Sequence, residues 1–476
     1  MINKPLNMDM LLEPQKKHVV KLLNSLYLNG VAFDASSTGT GKSFCGSWIA
    51  KQLNCPLVVI CPKVVRRTWK KVLDSMGVSV EIYTGKKDEK VNNGAVVINY
   101  EKLIRGNTPY LKLVDKNQEG EKFSDYIFNL PKNCLVLLDE VHKCKSFKTK
   151  NGELLGALKH FGYKLLLLSA TAATNPLEMK SFGYATLLHN FYDFKHFVKE
   201  AGAYINNWGG YAIDINSQVT MDAMKKIHNT LFIESGIASR MTTKEFGDIF
   251  PSNRVFADEF DMGGNTEKIQ HVYDVMEQEL AAFDERSKKY SEHHFAIMMK
   301  ARRLTELLKI PAIVDDIEDL YDEGISPVIF VNFTDSAKAI TKILEKNPKF
   351  HGKIGYVVGG QTDKVRDQDV DDFQSDVKRI MIVNLAAGGI GIDLHDLNGN
   401  YPRHSIVFPG WSAINMLQSL GRIHRAKGLS PCIQRIIYAA DTIEVQICRK
   451  VQAKLDNLEI LNDGDLSFDI QMLKAA

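Results

Sequence analysis

Lys42 and Ser43 close the run Ser36-Ser37-Thr38-Gly39-Thr40-Gly41-Lys42-Ser43, which follows apolar Val31-Ala32-Phe33 and precedes a helix-like stretch from Phe44 to Leu53. Small residues let the backbone N–H groups around Thr38, Gly39, Thr40 and Gly41 approach an anion, and a helix N-terminus behind them adds its dipole. A lysine at the end of such a loop meets β- and γ-phosphates, and the next hydroxyl meets Mg2+. Lys42 and Ser43 fit those two roles. Ser36 stands where the usual first glycine would be. A Gly/Ser turn with a chance lysine is the competing reading, and the strand before and helix after disfavour it.

A second group stands at Leu135-Val136-Leu137-Leu138-Asp139-Glu140-Val141-His142. An apolar strand ending in two carboxylates presents them at the C-terminal edge of a parallel sheet, where open α/β sheets bind ligands. There Asp139 can hold Mg2+, directly or through water, and Glu140 can orient and deprotonate an attacking water. A third group, Gln418-Ser419-Leu420-Gly421-Arg422-Ile423-His424-Arg425, spaces two arginines three apart. On a helix they share a face, and guanidinium groups aimed at a γ-phosphate stabilise transition-state charge. Alone, this pattern reads more readily as a solvated basic helix face, and the motifs that accompany it reverse that.

The elements that must position these groups are short. Residues 57–60, 95–98, 135–138 and 165–168 are four-residue apolar runs, as expected for parallel strands buried on both faces. Similar runs return at 327–331, 354–358, 379–383, 405–408 and 433–438. The pattern predicts an α/β fold with two parallel sheets covered by helices. A middle section over roughly 181–320 reads mainly as helix. The expected organisation is a first lobe over 1–255 with a helical protrusion at 181–250, a helical linker over 256–310, and a second lobe over 311–476.

At 476 residues the chain is long enough for several buried cores, and 45% hydrophobic with 25% charged residues is an ordinary globular balance. The 60 Lys+Arg against 57 Asp+Glu exclude a strongly basic tail protein but leave room for a basic groove. Seven scattered cysteines without a CxxC pair read as reduced, buried thiols. No apolar run approaches the roughly 20 residues of a membrane span, and the first residues lack a signal-peptide core. A soluble, cytoplasmic protein is expected.

The order of phosphate loop, Asp139-Glu140-Val141-His142 box, Ser169-Ala170-Thr171, Gly388-Gly389-Ile390-Gly391 and Arg422…Arg425 resembles superfamily 2 helicases and translocases. The resemblance tightens on the Swi/Snf-type DNA translocase branch. Leu11-Leu12-Glu13-Pro14-Gln15 is similar to its adenine-reading motif, which makes Gln15 the candidate reader. Val59-Ile60-Cys61-Pro62-Lys63 with Trp69, Val97-Ile98-Asn99-Tyr100-Glu101, and Ile329-Phe330-Val331-Asn332-Phe333 resemble further motifs in order. Trp411-Ser412 and Thr442-Ile443-Glu444 match the branch around its arginine motif. Ala172 replaces a usual proline, Met241 a usual arginine, and Asp393 the asparagine common in remodellers.

The resemblance implies two RecA-like lobes with ATP and Mg2+ in a cleft between them. Gly391 and Asp393 join the nucleotide set, Ser43 and Asp139 the metal set, and Glu140, Arg422 and Arg425 the catalytic set. Lys63, Asn99, Tyr100, Asn332, Thr334 and Gly388 are the implied nucleic-acid grips. The expected activity is a monomeric, ATP-driven motor on double-stranded DNA. A strand-separating helicase on branched DNA or RNA remains open, as does a nucleic-acid clamp or recruiting subunit with a vestigial ATPase. The compact motor suggests a phage or mobile-element origin.

Overall fold

Short runs rich in leucine, valine and isoleucine can bury both faces only if helices cover a sheet from two sides. Such sheets organise this chain. The computed structural model describes residues 8–85, 94–114, 123–206, 209–260, 262–282, 290–385, 392–410, 412–445, 448–449, 452, 461–462 and 471–473. The chain divides into two compact units, Met1–Gly247 with Ala453–Phe468, and Asp248–Gln452 with Asp469–Ala476.

The first unit contains β1 (Val31–Asp34), β2 (Leu57–Cys61), β3 (Val80–Ile82), β4 (Ala95–Asn99), β5 (Leu111–Leu113), β6 (Tyr126–Phe128), β7 (Leu135–Asp139), β8 (Lys164–Leu168), β9 (Tyr204–Ile205), β10 (Tyr211–Ala212) and β11 (Ala238–Ser239). Seven of them form one sheet in the order β11-β1-β8-β7-β2-β4-β3. Every pairing in it is parallel. β5–β6 and β9–β10 are separate antiparallel pairs. Because β1, β8 and β7 are consecutive neighbours running the same way, the loops after Asp34, Leu168 and Asp139 leave from one edge.

Helices position those loops. α1 (Glu13–Leu28) starts with Pro14 in its first turn and buries His18, Val19, Leu22, Leu23 and Leu26, a single stripe at helical spacing. α2 (Lys42–Leu53) buries Cys45, Trp48 and Ile49. α3 (Arg66–Ser75) turns Trp69 and Leu73 inward and its basic residues outward. Within residues 181–250, read from sequence as a protrusion, Phe182, Met224, Ile227, Leu231 and Ile237 lie in the first unit's core.

The second unit contains β12 (Asn253–Phe260), β13 (Ser326–Val331), β14 (Ile354–Val357), β15 (Ile380–Asn384), β16 (Arg403–Val407), β17 (Cys432–Ala439) and β18 (Gln471–Leu473). Its parallel sheet runs β14-β15-β13-β16-β17-β12-β18. The expected helical linker over 256–310 starts inside a strand. β12 pairs with β17 along its whole length. The charged residues Arg254, Asp258 and Glu259 hid it from a search for apolar runs. The helices that follow, Thr266–Ala281 and Tyr290–Asp322, are not free linkers either. Ile269, Tyr273 and Met276 from one, and Ile310, Ile313 and Ile317 from the other, share a core with Ile329, Ile382 and Ile406 of the sheet.

Candidate nucleotide site

The loop after β1 turns on two glycines in the left-handed region, Gly39 at φ 85° and Gly41 at φ 92°, a conformation that glycine adopts without a side-chain penalty. Gly41 is also the N-cap of α2. A Cβ there would sit 2.4 Å from the Gln15 amide nitrogen, so the loop packs too closely for a side chain. Gln15 is buried and uses both ends of its amide. Its Oε1 accepts the Leu12 N–H at 2.9 Å, and its Nε2 donates to the Thr40 carbonyl at 2.9 Å. Thr40 Oγ1 donates to the Ser37 carbonyl. Lys42 Nζ donates to the carbonyls of Ser36 and Ser37 at 2.8 and 3.1 Å. Thr38, Gly39, Lys42 and Ser43 are half-exposed around the start of a helix whose dipole favours an anion.

Asp139 ends β7 two strands away in the same sheet. Its Oδ2 accepts the indole N–H of fully buried Trp69 at 2.8 Å, and its own carbonyl accepts the Tyr100 hydroxyl at 2.8 Å. Burial, followed by the neighbouring Glu140 charge, pushes the Asp139 carboxyl up to about 7. Glu140 occupies the left-handed region at φ 56°, rare for a residue with a side chain. Its Oε2 lies 3.2 Å from His142 Nδ1. That nitrogen also lies 3.3 Å from Ser169 Oγ in the loop after β8. The Asp139-Glu140-Val141-His142 box and Ser169-Ala170-Thr171 are thus joined through His142.

Ser43 and Asp139 offer a hydroxyl and a carboxylate, hard oxygen donors of the kind that hold Mg2+ together with substrate phosphates and water. Among the described residues, no cluster of three or more His, Cys, Asp or Glu forms a metal site independent of such a substrate.

In the second unit, the helix Ala413–Leu420 ends before either arginine. The expectation that Arg422 and Arg425 share a helix face is therefore corrected. Gly421 caps the helix, the chain turns, and His424 Nε2 lies 3.0 Å from the Pro251 carbonyl. Arg422 is buried and donates to the Ile392 carbonyl at 3.3 Å, while Arg425 forms an ion pair with Asp393 at 2.9 Å. The Arg425 charge holds the Asp393 carboxyl below its ordinary range, outweighing the effect of burial. The two arginines meet adjacent residues, so this fold brings the segments around 392 and 422 together. Gly388 and Gly391 lie outside the described residues.

The expected nucleic-acid grips divide. Lys63 is exposed and Thr334 half-buried at the start of a helix. Tyr100 is fully buried and acts as a strut on Asp139. Asn99 is buried, its amide donating to Glu101. Asn332 donates to Glu306, Phe408 and Pro409 while its Oδ1 accepts from Arg302. In this structure these three serve the unit's own packing. Sequence reasoning also missed His18, whose only written trace was the unusual Ser36, and gave Trp69 no role.

Residues 306–427 match the family described as helicase conserved C-terminal domain. A protein of Acanthamoeba polyphaga mimivirus that carries the name ATP-dependent RNA helicase is 30% identical over 464 residues, covering 95% of this chain and 83% of its own. Two solved structures are similar over nearly the whole chain. The Sulfolobus solfataricus SWI2/SNF2 ATPase core in complex with double-stranded DNA has 17% identity, a TM-score of 0.41, and coverage of 98% of this chain and 96% of its own. Saccharomyces cerevisiae Dbp5 bound to RNA and ADP BeF3 has 14% identity, a TM-score of 0.48, and coverage of 93% and 88%. The chain belongs to the superfamily 2 helicases. It is by that membership a nucleic-acid-dependent ATPase.

Proposed function

We propose that the protein is a motor that translocates on double-stranded DNA, driven by ATP hydrolysis. The observation that carries the ATPase half is the edge of the first sheet. There the Lys42 loop, the Asp139-Glu140 pair and Ser169 leave neighbouring parallel strands, with Glu140 and Ser169 linked through His142.

Gln15, which braces the loop through the Thr40 carbonyl, is assigned to the adenine side of the site. The N–H groups around Thr38, Gly39, Thr40 and Gly41 hold the phosphates, and Lys42 balances the β/γ charge. Ser43 and Asp139 would hold Mg2+, which would neutralise charge on the phosphates. Glu140 orients a water and takes its proton. Asp393 and Gly391 complete the nucleotide set, and Arg422 and Arg425 stabilise charge in the transition state. Nucleic-acid contacts, with Lys63 and Thr334 as the accessible candidates, fall on phosphates and carry little sequence readout. Seven free thiols support a cytoplasmic location, and among the described residues no helix is long and apolar enough to cross a membrane.

Preference for double-stranded DNA is supported by the Swi/Snf-type pattern at Trp411-Ser412 and Thr442-Ile443-Glu444. A second reading, unwinding of RNA, is favoured by the name of the mimivirus relative. ATP turnover compared side by side without nucleic acid, and with single-stranded DNA, double-stranded DNA and RNA, separates them. The expected order puts double-stranded DNA first. Stimulation by RNA alone moves the assignment to the second reading.

A further inference from the structure

Beneath the phosphate loop lies a polar cluster that the nucleotide chemistry leaves unused. Asp34, at the end of β1, is 0% exposed, and His18 on the inner face of α1 is 3% exposed. One Asp34 oxygen accepts the Ser36 N–H at 2.9 Å, and the other lies 3.1 Å from His18 Nε2. His18 Nδ1 lies 2.8 Å from Ser239 Oγ on the neighbouring strand β11.

Ser36, the residue that departs from the usual glycine, belongs to this cluster. Its Oγ accepts the Met241 N–H at 3.0 Å and lies 3.4 Å from His18 Nε2. Its carbonyl in turn accepts from Lys42. One residue therefore touches the buried carboxylate, the histidine and the loop lysine at once.

A buried carboxylate deprived of its partner either takes up a proton or draws in the nearest cation. Burial alone would raise the Asp34 carboxyl, but His18, then Lys42 and Ser36, outweigh it and hold the group below its ordinary range. Ser36 bridges Asp34 and Lys42, its N–H on Asp34 at 2.9 Å and its carbonyl on Lys42 at 2.8 Å, and Lys42 is the lysine that the nucleotide phosphates require. We infer that His18 is a positioning residue of the ATP site, engaging the Asp34 carboxylate so that Lys42 stays available to the phosphates. This rests on the reading of residues 36–43 as the ATP phosphate loop. The bland competitor is that His18 only packs α1 against the sheet.

The test measures equilibrium affinity for a fluorescent ATP analogue, with thermal midpoints, in the full chain and in Lys42→Ala, His18→Ala, Asp34→Asn and His18→Ala/Asp34→Asn. Failure of the wild type to bind, or wild-type affinity in Lys42→Ala, removes the phosphate-loop reading itself. With that reading standing, His18→Ala is expected to lose about tenfold or more in affinity. Adding Asp34→Asn, which keeps an acceptor for Ser36 but removes the competing charge, is expected to restore affinity to within about threefold, a coupling that a double-mutant cycle reads directly. A packing role predicts no such rescue, because the second change refills nothing. Affinity in His18→Ala within about twofold of wild type, or a double variant as weak as His18→Ala, overturns the inference. If His18→Ala does not fold, the double variant decides: folding and binding ATP supports the electrostatic role, and remaining unfolded overturns it.

Discussion

At the scale of the residue, the division of labour between two adjacent carboxylates is the point to test. Asp139 is held by Trp69 and pushed up to about 7 by burial and by Glu140. Glu140 faces His142 instead. Replacing Glu140 with Gln removes a proton acceptor and leaves Asp139, Ser43 and Lys42 in place. The variant is expected to bind ATP and Mg2+ while losing hydrolysis. Equilibrium binding beside steady-state turnover checks this, and wild-type turnover would remove Glu140 as the base. Arg425 makes the complementary case. Arg425→Ala is expected to keep nucleotide affinity within a few fold while turnover drops roughly 10³–10⁵-fold, the range for an arginine that acts on the transition state. Normal turnover with weakened nucleic-acid binding would instead show that the ion pair with Asp393 marks a surface feature.

At the scale of the element, buried charge tells which contacts hold the second unit together. Lys309, on the helix Tyr290–Asp322, pairs with Glu444 beyond β17 at 2.8 Å, with both side chains almost fully buried. Glu444 also accepts from the Tyr273 hydroxyl and the Ala439 N–H. Lys309→Met fills similar volume but leaves a buried carboxylate without its cation. A loss of about 3–5 kcal/mol is expected, because breaking one half of a buried pair costs more than removing both. Denaturant unfolding measures this, and Lys309→Met/Glu444→Gln is expected to recover part of the loss.

Asp376 supplies the pH test for the same unit. Burial would raise its carboxyl, but hydrogen bonds from Asn400, Arg403 and Asn398 outweigh burial and hold it below the ordinary range. A folded value below the unfolded one gives stability that is present above the ordinary aspartate range and lost as pH falls through the folded value. Urea midpoints between about pH 5 and pH 3 are therefore expected to fall more steeply for the wild type than for Asp376→Asn.

At the scale of the whole molecule, translocation and unwinding make different products from the same ATP. A motor tracking on duplex DNA is expected to displace a triplex-forming strand without opening the duplex beneath it. Binding dominated by phosphates should weaken linearly in log salt, with a slope that counts the neutralised phosphates. Gel separation of triplex, duplex and single strands reads the first, and a salt titration of DNA affinity reads the second. Efficient opening of a forked duplex would favour strand separation.

Much of this was written in the sequence because it is local. Four-residue apolar runs bounded by turn or polar residues suit strands buried on both faces, so β2, β4, β7 and β8 were legible within a residue. Gly39, Gly41 and Lys42 form a loop whose backbone conformation and charge depend on neighbours within a few positions. What escaped depends on residues distant in sequence. β12 carries charges and becomes a strand only because β17 lies beside it. The arginines leave their helix because Gly421 ends it and Pro251 receives His424. Tyr100 and Asn332 look like exposed strand-end polar groups, yet they turn inward because Asp139, Glu306, Phe408 and Pro409 offer partners there. His18 reads as one polar residue on a helix, and it acquires a role only when β1 and β11 bring Asp34 and Ser239 to its two nitrogens. Local chain stiffness and apolar spacing set the elements and the phosphate loop, whereas the partners of each buried polar group were decided by tertiary packing, because a group withdrawn from water must bond to whatever the fold places beside it.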